Sequence, residues 1–309
     1  MLAHLFDPAL ITTGLLVGFL VGLTGMGGGA LLTPLLVLVF GVPPLAAVSS
    51  DLVTSLFMKP FGAAVHWRHA TVQVRLLKWL ALGAVPAGFL GAVLIGTLSH
   101  GGYAEAVQSG LKVLIAVALI ASILGTAARI WTEPYLVALQ GAQAGSPGDG
   151  SDPVITVRPL RTVLIGVIGG LAVGLTSVGA GSLIIAMLLL AYPLMSPRQL
   201  VGTDIVQAIP LVGAAALGHL LFGDVQLTIT ASLLLGAIPA VIVGARVSAT
   251  APTRVVRPVV AAVLFASALA LLSVPTPTVV LGGIAVGVVI VVSQAVTAAR
   301  LSARARSES

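Results

Sequence analysis

Long apolar stretches and short polar connections alternate along nearly the whole chain. In each half, an apolar segment rich in glycine is followed by three plainer apolar stretches. The first half has them at 9–40, 44–65, 76–98 and 104–129, and the second at 160–192, 199–221, 227–245 and 257–272, with one more at 277–298. About 20 apolar residues are enough for an α-helix to cross the hydrocarbon of a bilayer. The pattern therefore predicts an all-α, polytopic membrane protein.

Composition supports the membrane prediction and removes several function classes. The 309 residues are 58% hydrophobic and 8% charged, with a mean hydropathy of +1.15, well outside the range of soluble domains. The chain has no cysteine, which excludes disulfides and thiolate metal sites, and no metal or cofactor is predicted. The net charge of +6 comes from basic residues scattered singly between apolar stretches, so it indicates membrane topology rather than nucleic-acid binding. No nucleotide-binding motif is present, so direct use of ATP is not predicted.

The two halves of the chain are related in sequence. The segment GFLVGLTGMGGGALL at 18–32 aligns with GGLAVGLTSVGAGSLI at 169–184, and the match continues at a nearly constant offset. Such self-similarity indicates an internal repeat. The predicted organisation is a first transmembrane repeat at 9–131, a cytoplasmic linker at 132–159, a second repeat at 160–272, a final transmembrane helix at 277–298 and a basic cytoplasmic tail at 299–309.

The basic residues predict how the repeats cross the membrane. If each glycine-rich segment is a hairpin that enters and leaves on one side, every Lys and Arg except Lys59 and Lys112 falls on the cytoplasmic side. A single crossing would place Arg198 and all later basic residues outside. The hairpin arrangement inverts the second half relative to the first, with the N-terminus outside the cell membrane and the C-terminus in the cytoplasm. Arms of about 12–15 residues reach roughly 20 Å, so the glycine tips are expected to meet near the midplane.

Several paired motifs resemble those of a known family of membrane proteins. The glycine breaks GLTGMGGG and GLTSVGAG, the helix openings AAVSSD and LVGTD, and the segments GAVPAGFLGA and GAIPAVIVGA are similar to the sulfite exporter TauE/SafE family, also called toluenesulfonate uptake permeases. The resemblance covers about residues 10–272 and implies a transporter of sulfur-containing or organic anions. The second copy departs from the pattern, with Ala180 and Ser182 where the first has Gly28 and Ala30.

The glycine breaks themselves predict an anion site. Broken backbone inside a membrane persists only where it packs in protein or lines a water-filled cavity, and the helix that starts there presents unpaired N–H groups. The expected substrate-binding residues are Thr24, Gly25, Gly27, Gly28 and Gly29 in the first half and Thr176, Ser177, Gly179, Gly181 and Ser182 in the second. The alternative is that the glycines, with spacings such as Gly18/Gly22 and Gly170/Gly174, only allow close helix packing.

Asp51 and Asp204 are paired between the halves, each some seven residues into its predicted span. An ionisable side chain about 10 Å into a membrane helix is costly and is a candidate for function. A carboxyl group beside an anion is compatible only when protonated, so proton coupling is one hypothesis. The other is that both aspartates cap the starts of their helices.

Three further side chains are secondary candidates. Lys59 lies two helical turns after Asp51 and either attracts the anion or extends towards the membrane surface. His66 and His219 match between the halves at the ends of their spans. Their titration range suits a proton relay, although interfacial histidines are commonly structural.

The favoured function is a secondary transporter of small anions, such as sulfite or an organosulfonate, that works by alternating access around a midplane site at the two breaks. Protons are the candidate coupling ion, and the bilayer and the solute are the expected partners. One alternative is an intramembrane hydrolase in which Ser182 and His219 would form the dyad, and another is a structural membrane subunit. No catalytic residues are predicted, and the oligomeric state is not defined by the sequence.

Overall fold

The computed structural model describes residues 6–24, 28–66, 72–143, 156–193, 195, 197–247 and 253–307. In this part of the chain the regular structure is entirely α-helical, as predicted. The helices are α1 Pro8–Thr24, α2 Gly29–Leu38, α3 Pro44–His66, α4 Val74–His100, α5 Ala104–Gln143, α6 Pro159–Thr176, α7 Leu183–Ala191, α8 Pro197–Phe222, α9 Leu227–Val247, α10 Thr253–Leu271 and α11 Thr276–Ser307.

Six of the described helical segments are long and apolar enough to cross a membrane. They are Val74–His100, Ala104–Ala128, Pro159–Thr176, Gly202–Phe222, Leu227–Val247 and Thr276–Thr297. Two shorter apolar helices, Pro8–Thr24 and Gly29–Leu38, precede these spans, and a third, Pro258–Leu271, comes before the last span. The molecule is therefore a multi-pass membrane protein, and the predicted fold class is confirmed.

Helix boundaries follow the predicted spans except at two polar ends. Helix α5 continues to Gln143, into the predicted linker, and α11 continues to Ser307, through most of the predicted tail. Both extensions contain Ala, Leu, Gln or Arg, which form helix readily. Polarity shows where a helix leaves hydrocarbon and does not show where backbone hydrogen bonding ends.

Both glycine-rich segments are broken into a longer and a shorter helix. The first helices, α1 and α6, have 17 and 18 residues, whereas the second, α2 and α7, have 10 and 9. The prediction of arms of similar length was therefore wrong. At about 1.5 Å per residue, only the shorter arms, of roughly 15 Å, are far too short to cross the hydrocarbon.

The first helix of each half packs in parallel against the third long helix of the other half. Gly14 of α1 lies against Leu233 of α9, and Gly22 lies against Val241 further along. Helix α6 meets α4 in the same manner. A Cβ atom at these glycines would collide with the facing backbone, so their packing role is confirmed. The glycines packed in this way include Gly14, Gly18, Gly22, Gly166, Gly170 and Gly174.

Equivalent helices of the two halves run in opposite directions. Ser49, early in α3, contacts His219 late in α8, whereas Leu56 further along α3 contacts the earlier Gly213. Helices α3 and α8 are therefore antiparallel. Helix α4 runs parallel to α8, because Gly88 packs against Leu211 and Gly96 packs against Phe222.

The second glycine-rich segment turns back on itself. Helix α7 runs parallel to α5, because Ser182 contacts Ser122 and Ala186 lies against Gly125. Helix α5 reverses direction after α4 through the short turn at 101–103. Since α6 is parallel to α4, α7 runs antiparallel to α6. The α6–α7 segment is thus a hairpin with its turn at the glycine break.

The short helices α2 and α7 occupy the interior of the bundle. Leu32 and Leu36 of α2, and Ile184 and Leu188 of α7, are fully buried in one apolar cluster. The ends of α2 and α7 next to the breaks are largely buried, whereas Leu38 and Leu190 at the far ends are exposed. The described residues at both breaks therefore lie inside the protein, where irregular backbone is tolerated at membrane depth.

Candidate functional site

The two glycine breaks touch each other. Gly29, the first residue of α2, lies against Ser177, which follows α6. A Cβ atom at Gly29 would collide with the Ser177 carbonyl and would lie 2.6 Å from its hydroxyl. Ser177 is buried and has a left-handed backbone with φ of 61°. The first break therefore needs glycine for close approach to the second.

A buried carboxylate lies beside this contact. Asp51 is fully buried in α3 and accepts hydrogen bonds from Thr33 Oγ1 at 2.6 Å and Ser55 Oγ at 3.2 Å. The Ser177 hydroxyl faces the same carboxylate. Gly28 also lies next to this group, since a Cβ atom there would be 3.1 Å from Ser55 Oγ. Asp51 thus joins α3 to α2, beside the break after α6.

Neither aspartate caps a helix start. Helix α3 begins at Pro44 and α8 at Pro197, so Asp51 and Asp204 each stand two turns inside their helices. Both side chains are buried, with at most 3% of Asp204 exposed. The capping alternative is wrong because an N-cap side chain must reach the first free N–H groups of its own helix.

Lys59 links the two aspartates electrostatically. Its side chain is half-buried, and its charge acts on both Asp204 and Asp51. The antiparallel course of α3 and α8 makes this possible, because Lys59 near the end of α3 approaches the beginning of α8. The placement favours an interior role for Lys59 over extension to the membrane surface.

Hydrogen bonds of His219 link its own helix, α8, to α3 and α6. Its ring is fully buried, with Nε2 2.8 Å from the Gly174 carbonyl of α6 and Nδ1 2.7 Å from Ser49 Oγ of α3. Because a carbonyl only accepts, Nε2 carries the proton and Ser49 donates to Nδ1. These contacts favour the structural role over a proton relay. The side chain of His66 lies outside the described residues.

The predicted hydroxyl groups differ in how they are used. Thr24 donates to the Leu20 carbonyl at 2.8 Å, and Thr176 donates to the Ala172 carbonyl at 2.6 Å. By contrast, the buried Ser177 hydroxyl faces the Asp51 carboxylate without forming a hydrogen bond of normal geometry. Ser177 is therefore the break hydroxyl that a bound solute could engage without breaking an existing bond. Gly25 and Gly27 lie outside the described residues.

The first N–H groups of α7 already have a hydrogen-bond acceptor in the loop that precedes the helix. The N–H groups of Leu183 and Ile184 donate to the Gly179 carbonyl at 3.1 and 3.3 Å. Gly179 and Gly181 have φ of 119° and 103°, a region that favours glycine. In this conformation the second break presents the Ser177 hydroxyl, while these two N–H groups of α7 are occupied.

The hydrolase dyad is not assembled. The Ser182 hydroxyl donates to Ser122 Oγ at 2.8 Å, and both ring nitrogens of His219 are occupied by Ser49 and Gly174. A general base must reach the hydroxyl that it activates. Among the described residues there is also no cluster of His, Asp and Glu that could hold a metal ion.

Several site residues were absent from the sequence prediction. Ser55 lies four residues after Asp51, on the same helical face, and this spacing was available from the sequence. Thr33 is an isolated hydroxyl in an otherwise apolar helix, and only the packing of α2 against α3 reveals its role. Gln207, one turn after Asp204, was overlooked although a buried amide in a membrane helix is unusual.

The structure is that of a multi-pass membrane protein with a buried polar centre, where two broken helices meet inside the bundle. The chain belongs to the sulfite exporter TauE/SafE family, whose model matches residues 10–271. It is 39% identical over 267 residues to the probable membrane transporter protein YjnA of Bacillus subtilis, covering 85% of this chain and 99% of that protein.

More distant relatives have the same description. The probable membrane transporter protein YdhB of Bacillus subtilis is 23% identical over 242 residues, covering 78% of this chain and 90% of that protein. A probable membrane transporter protein of Xylella fastidiosa is 30% identical, covering 59% of this chain and 62% of that protein. No solved structure matches the chain. The chain is thus a membrane transporter.

Proposed function

We propose that this transporter is a secondary carrier of small oxyanions, such as sulfite or an organosulfonate, with its binding site at the contact between the two breaks. The observation that carries the proposal is the contact of Gly29 with Ser177 beside the buried Asp51. Hydroxyl donors and Lys59 would bind the anion, and close backbone packing would keep the site narrow. Membership of the sulfite exporter family supports sulfur-containing oxyanions as the solute class.

Proton coupling follows from the charges in this centre. Lys59 supplies one positive charge against the two carboxylates, so the fully ionised group has a net charge of −1. An entering anion is repelled by that charge. Protonation of Asp51 or Asp204 makes the group neutral, and protonation of both makes it positive. Anion binding should therefore favour proton uptake at these aspartates, so that both ions move together.

Alternating access is the proposed mode of transport. The antiparallel course of α3 and α8, and the exchange of α1 and α6 between halves, support two inverted repeats around one site. We place the N-terminus outside the cell membrane and the C-terminus in the cytoplasm. Single cysteines introduced at positions 70 and 224 should be distinguished by an impermeant thiol reagent in intact cells. Labelling of position 70 but not of 224 would contradict this orientation.

The transport proposal is tested with purified protein in liposomes. Radiolabelled sulfite should enter protein-containing vesicles and exchange with unlabelled sulfite inside, whereas protein-free vesicles set the background. The Ser182→Ala variant should exchange normally, because the Ser182 hydroxyl donates to Ser122 and the proposed site at the contact of Gly29 with Ser177 does not include it. No exchange of sulfite or of any tested sulfonate by the wild-type protein would contradict the proposed function.

A further inference from the structure

Gln207 is a buried amide whose polar ends are both unused. The residue lies in α8 and is fully buried, and neither Oε1 nor Nε2 has a hydrogen-bond partner. A buried amide that leaves a donor and an acceptor unpaired is costly, and such groups in native proteins need an explanation. An apolar side chain of similar size would avoid this cost.

The amide belongs to the polar centre described above. Gln207 lies three residues after Asp204, so both side chains share one face of α8. Lys59 acts electrostatically on Asp204 and also on Asp51, which the Ser177 hydroxyl faces. Helical spacing, charge and orientation thus relate one series of buried or half-buried polar groups: Gln207, Asp204, Lys59, Asp51 and Ser177. Its two ends are the unpartnered groups, and its middle is charged.

We propose that Gln207 and Ser177 contact the transported solute directly, and that this solute carries a polar O–H or N–H hydrogen in addition to its oxyanion group. The amide Nε2 and the Ser177 hydroxyl would donate to the oxyanion oxygens. The amide Oε1 can only accept, so it requires a hydrogen from the solute. This inference rests on the proposed anion transport and narrows its solute class.

The chemistry predicts a particular form of selectivity. A site that hydrogen-bonds a hydroxyl rejects an analogue that lacks it, because its own polar groups are left unpaired. The pair 2-hydroxyethanesulfonate and ethanesulfonate differs in one hydroxyl and has the same charged group. The wild-type protein should therefore bind the hydroxylated compound at least about tenfold more tightly.

Thermal unfolding with added ligand tests the proposal, because a ligand that binds only the folded protein raises the Tm. The variant is Gln207→Met, which keeps the size of the side chain and removes both polar ends. Without ligand, its Tm should equal or exceed that of the wild type, since an unpaired amide is removed. With ligand, the preference for 2-hydroxyethanesulfonate should disappear.

The matched control is Thr54→Val, at the corresponding position of the first repeat. Thr54 is buried, and its hydroxyl donates to the Ser50 carbonyl of its own helix at 2.8 Å. This variant should keep the wild-type preference between the two sulfonates. Ser177→Ala should weaken binding of both compounds without changing the Tm of the ligand-free protein.

The outcomes separate this inference from the proposed function. If the wild-type protein is stabilised equally by the two sulfonates, or if Gln207→Met keeps the preference, the assignment of Gln207 is wrong while anion binding stands. A large fall in Tm for ligand-free Gln207→Met would also overturn it, since the amide would then be structural. If neither sulfonate nor sulfite stabilises or exchanges through the wild-type protein, the proposed function itself fails.

Discussion

Asp51 and Asp204 occupy equivalent positions in the two halves, on helices that run in opposite directions. Asp51 is held by short contacts, because Thr33 from α2 and Ser55 from its own helix donate to its carboxylate. These bonds attach α3 to the helix that starts at the first break. The carboxylate therefore fixes the position of that break as well as adding charge to the centre.

The surroundings of Asp204 are chemically different. The positions that correspond to Thr33 and Ser55 are Ile185 and Ala208, neither of which has a side-chain donor. The charge of Lys59, which comes from the other half, acts on Asp204 as it does on Asp51, and Gln207 lies one turn from Asp204. Two related sequences thus provide one framework with two environments. We expect Asp51 to position the break beside the solute, and Asp204 to act mainly through its charge.

The largest expected effect comes from closing the contact between the breaks. Gly29→Leu forces a side chain into the Ser177 backbone and should abolish sulfite exchange and ligand stabilisation. The free energy of unfolding should also fall by about 1–3 kcal/mol from overpacking. Gly110→Leu is the control, because a Cβ atom there meets nothing within 4 Å. Normal exchange by Gly29→Leu would show that the contact is irrelevant to transport.

The second break should respond to glycine replacement for a different reason. A Cβ atom at Gly179 has room, with its nearest neighbour at 3.5 Å, but φ of 119° is unfavourable for any other residue. Gly179→Ala should therefore cost about 1–3 kcal/mol of stability through backbone strain. Chemical denaturation measures this cost. Gly110→Ala, at an open helical position, should be neutral or stabilising and is the control. Unchanged stability of Gly179→Ala would show that the loop relaxes easily.

Removal of the Thr33 hydroxyl tests the special environment of Asp51. Thr33→Val keeps the shape of the side chain but takes a donor from a buried carboxylate, at a cost of about 1–3 kcal/mol. Thr33→Ser keeps the donor and should retain most of the stability and transport. Equal stability of the Val and Ser variants would mean that the 2.6 Å hydrogen bond does not hold the break.

The smallest expected effect concerns the link between halves at His219. Ser49→Ala removes one hydrogen bond from a buried ring that keeps its contact with Gly174. The loss should be about 1 kcal/mol of unfolding free energy, with little change in transport. Ser109→Ala, at an exposed hydroxyl, is the control. Complete loss of transport without loss of stability would instead support a relay role for His219.

The fold was largely predictable because its causes are local in sequence. Apolar length gives the spans, and the glycine clusters mark the breaks; α3, predicted at 44–65, is found at Pro44–His66. The ends of α5 and α11 were not predictable from polarity, because a helix outside the membrane can be polar on all sides. The unequal arms of the broken segments also depend on packing, which fixes how deep each tip lies.

The site was predictable only in part. The spacing in sequence pairs Asp51 with Asp204, and burial of both residues agrees with their selection. The N–H groups at the start of α7 were expected to be open, yet the Gly179 carbonyl accepts from two of them. Contacts between distant segments, such as Thr33 with Asp51, require the three-dimensional packing. Alignment of the two repeats does not show that Thr33 is the hydrogen-bond donor to Asp51.

The most direct test of the central claim is anion accumulation driven by a pH gradient in liposomes. Wild-type protein should concentrate sulfite on the alkaline side of the membrane, because protons flow down their gradient towards that side and the two ions move together. Asp51→Asn and Asp204→Asn keep side-chain shape and remove the titrating proton, so both should still exchange sulfite between equal solutions. Each should lose accumulation above the equilibrium concentration. Unchanged accumulation by both variants would contradict coupling through the paired aspartates.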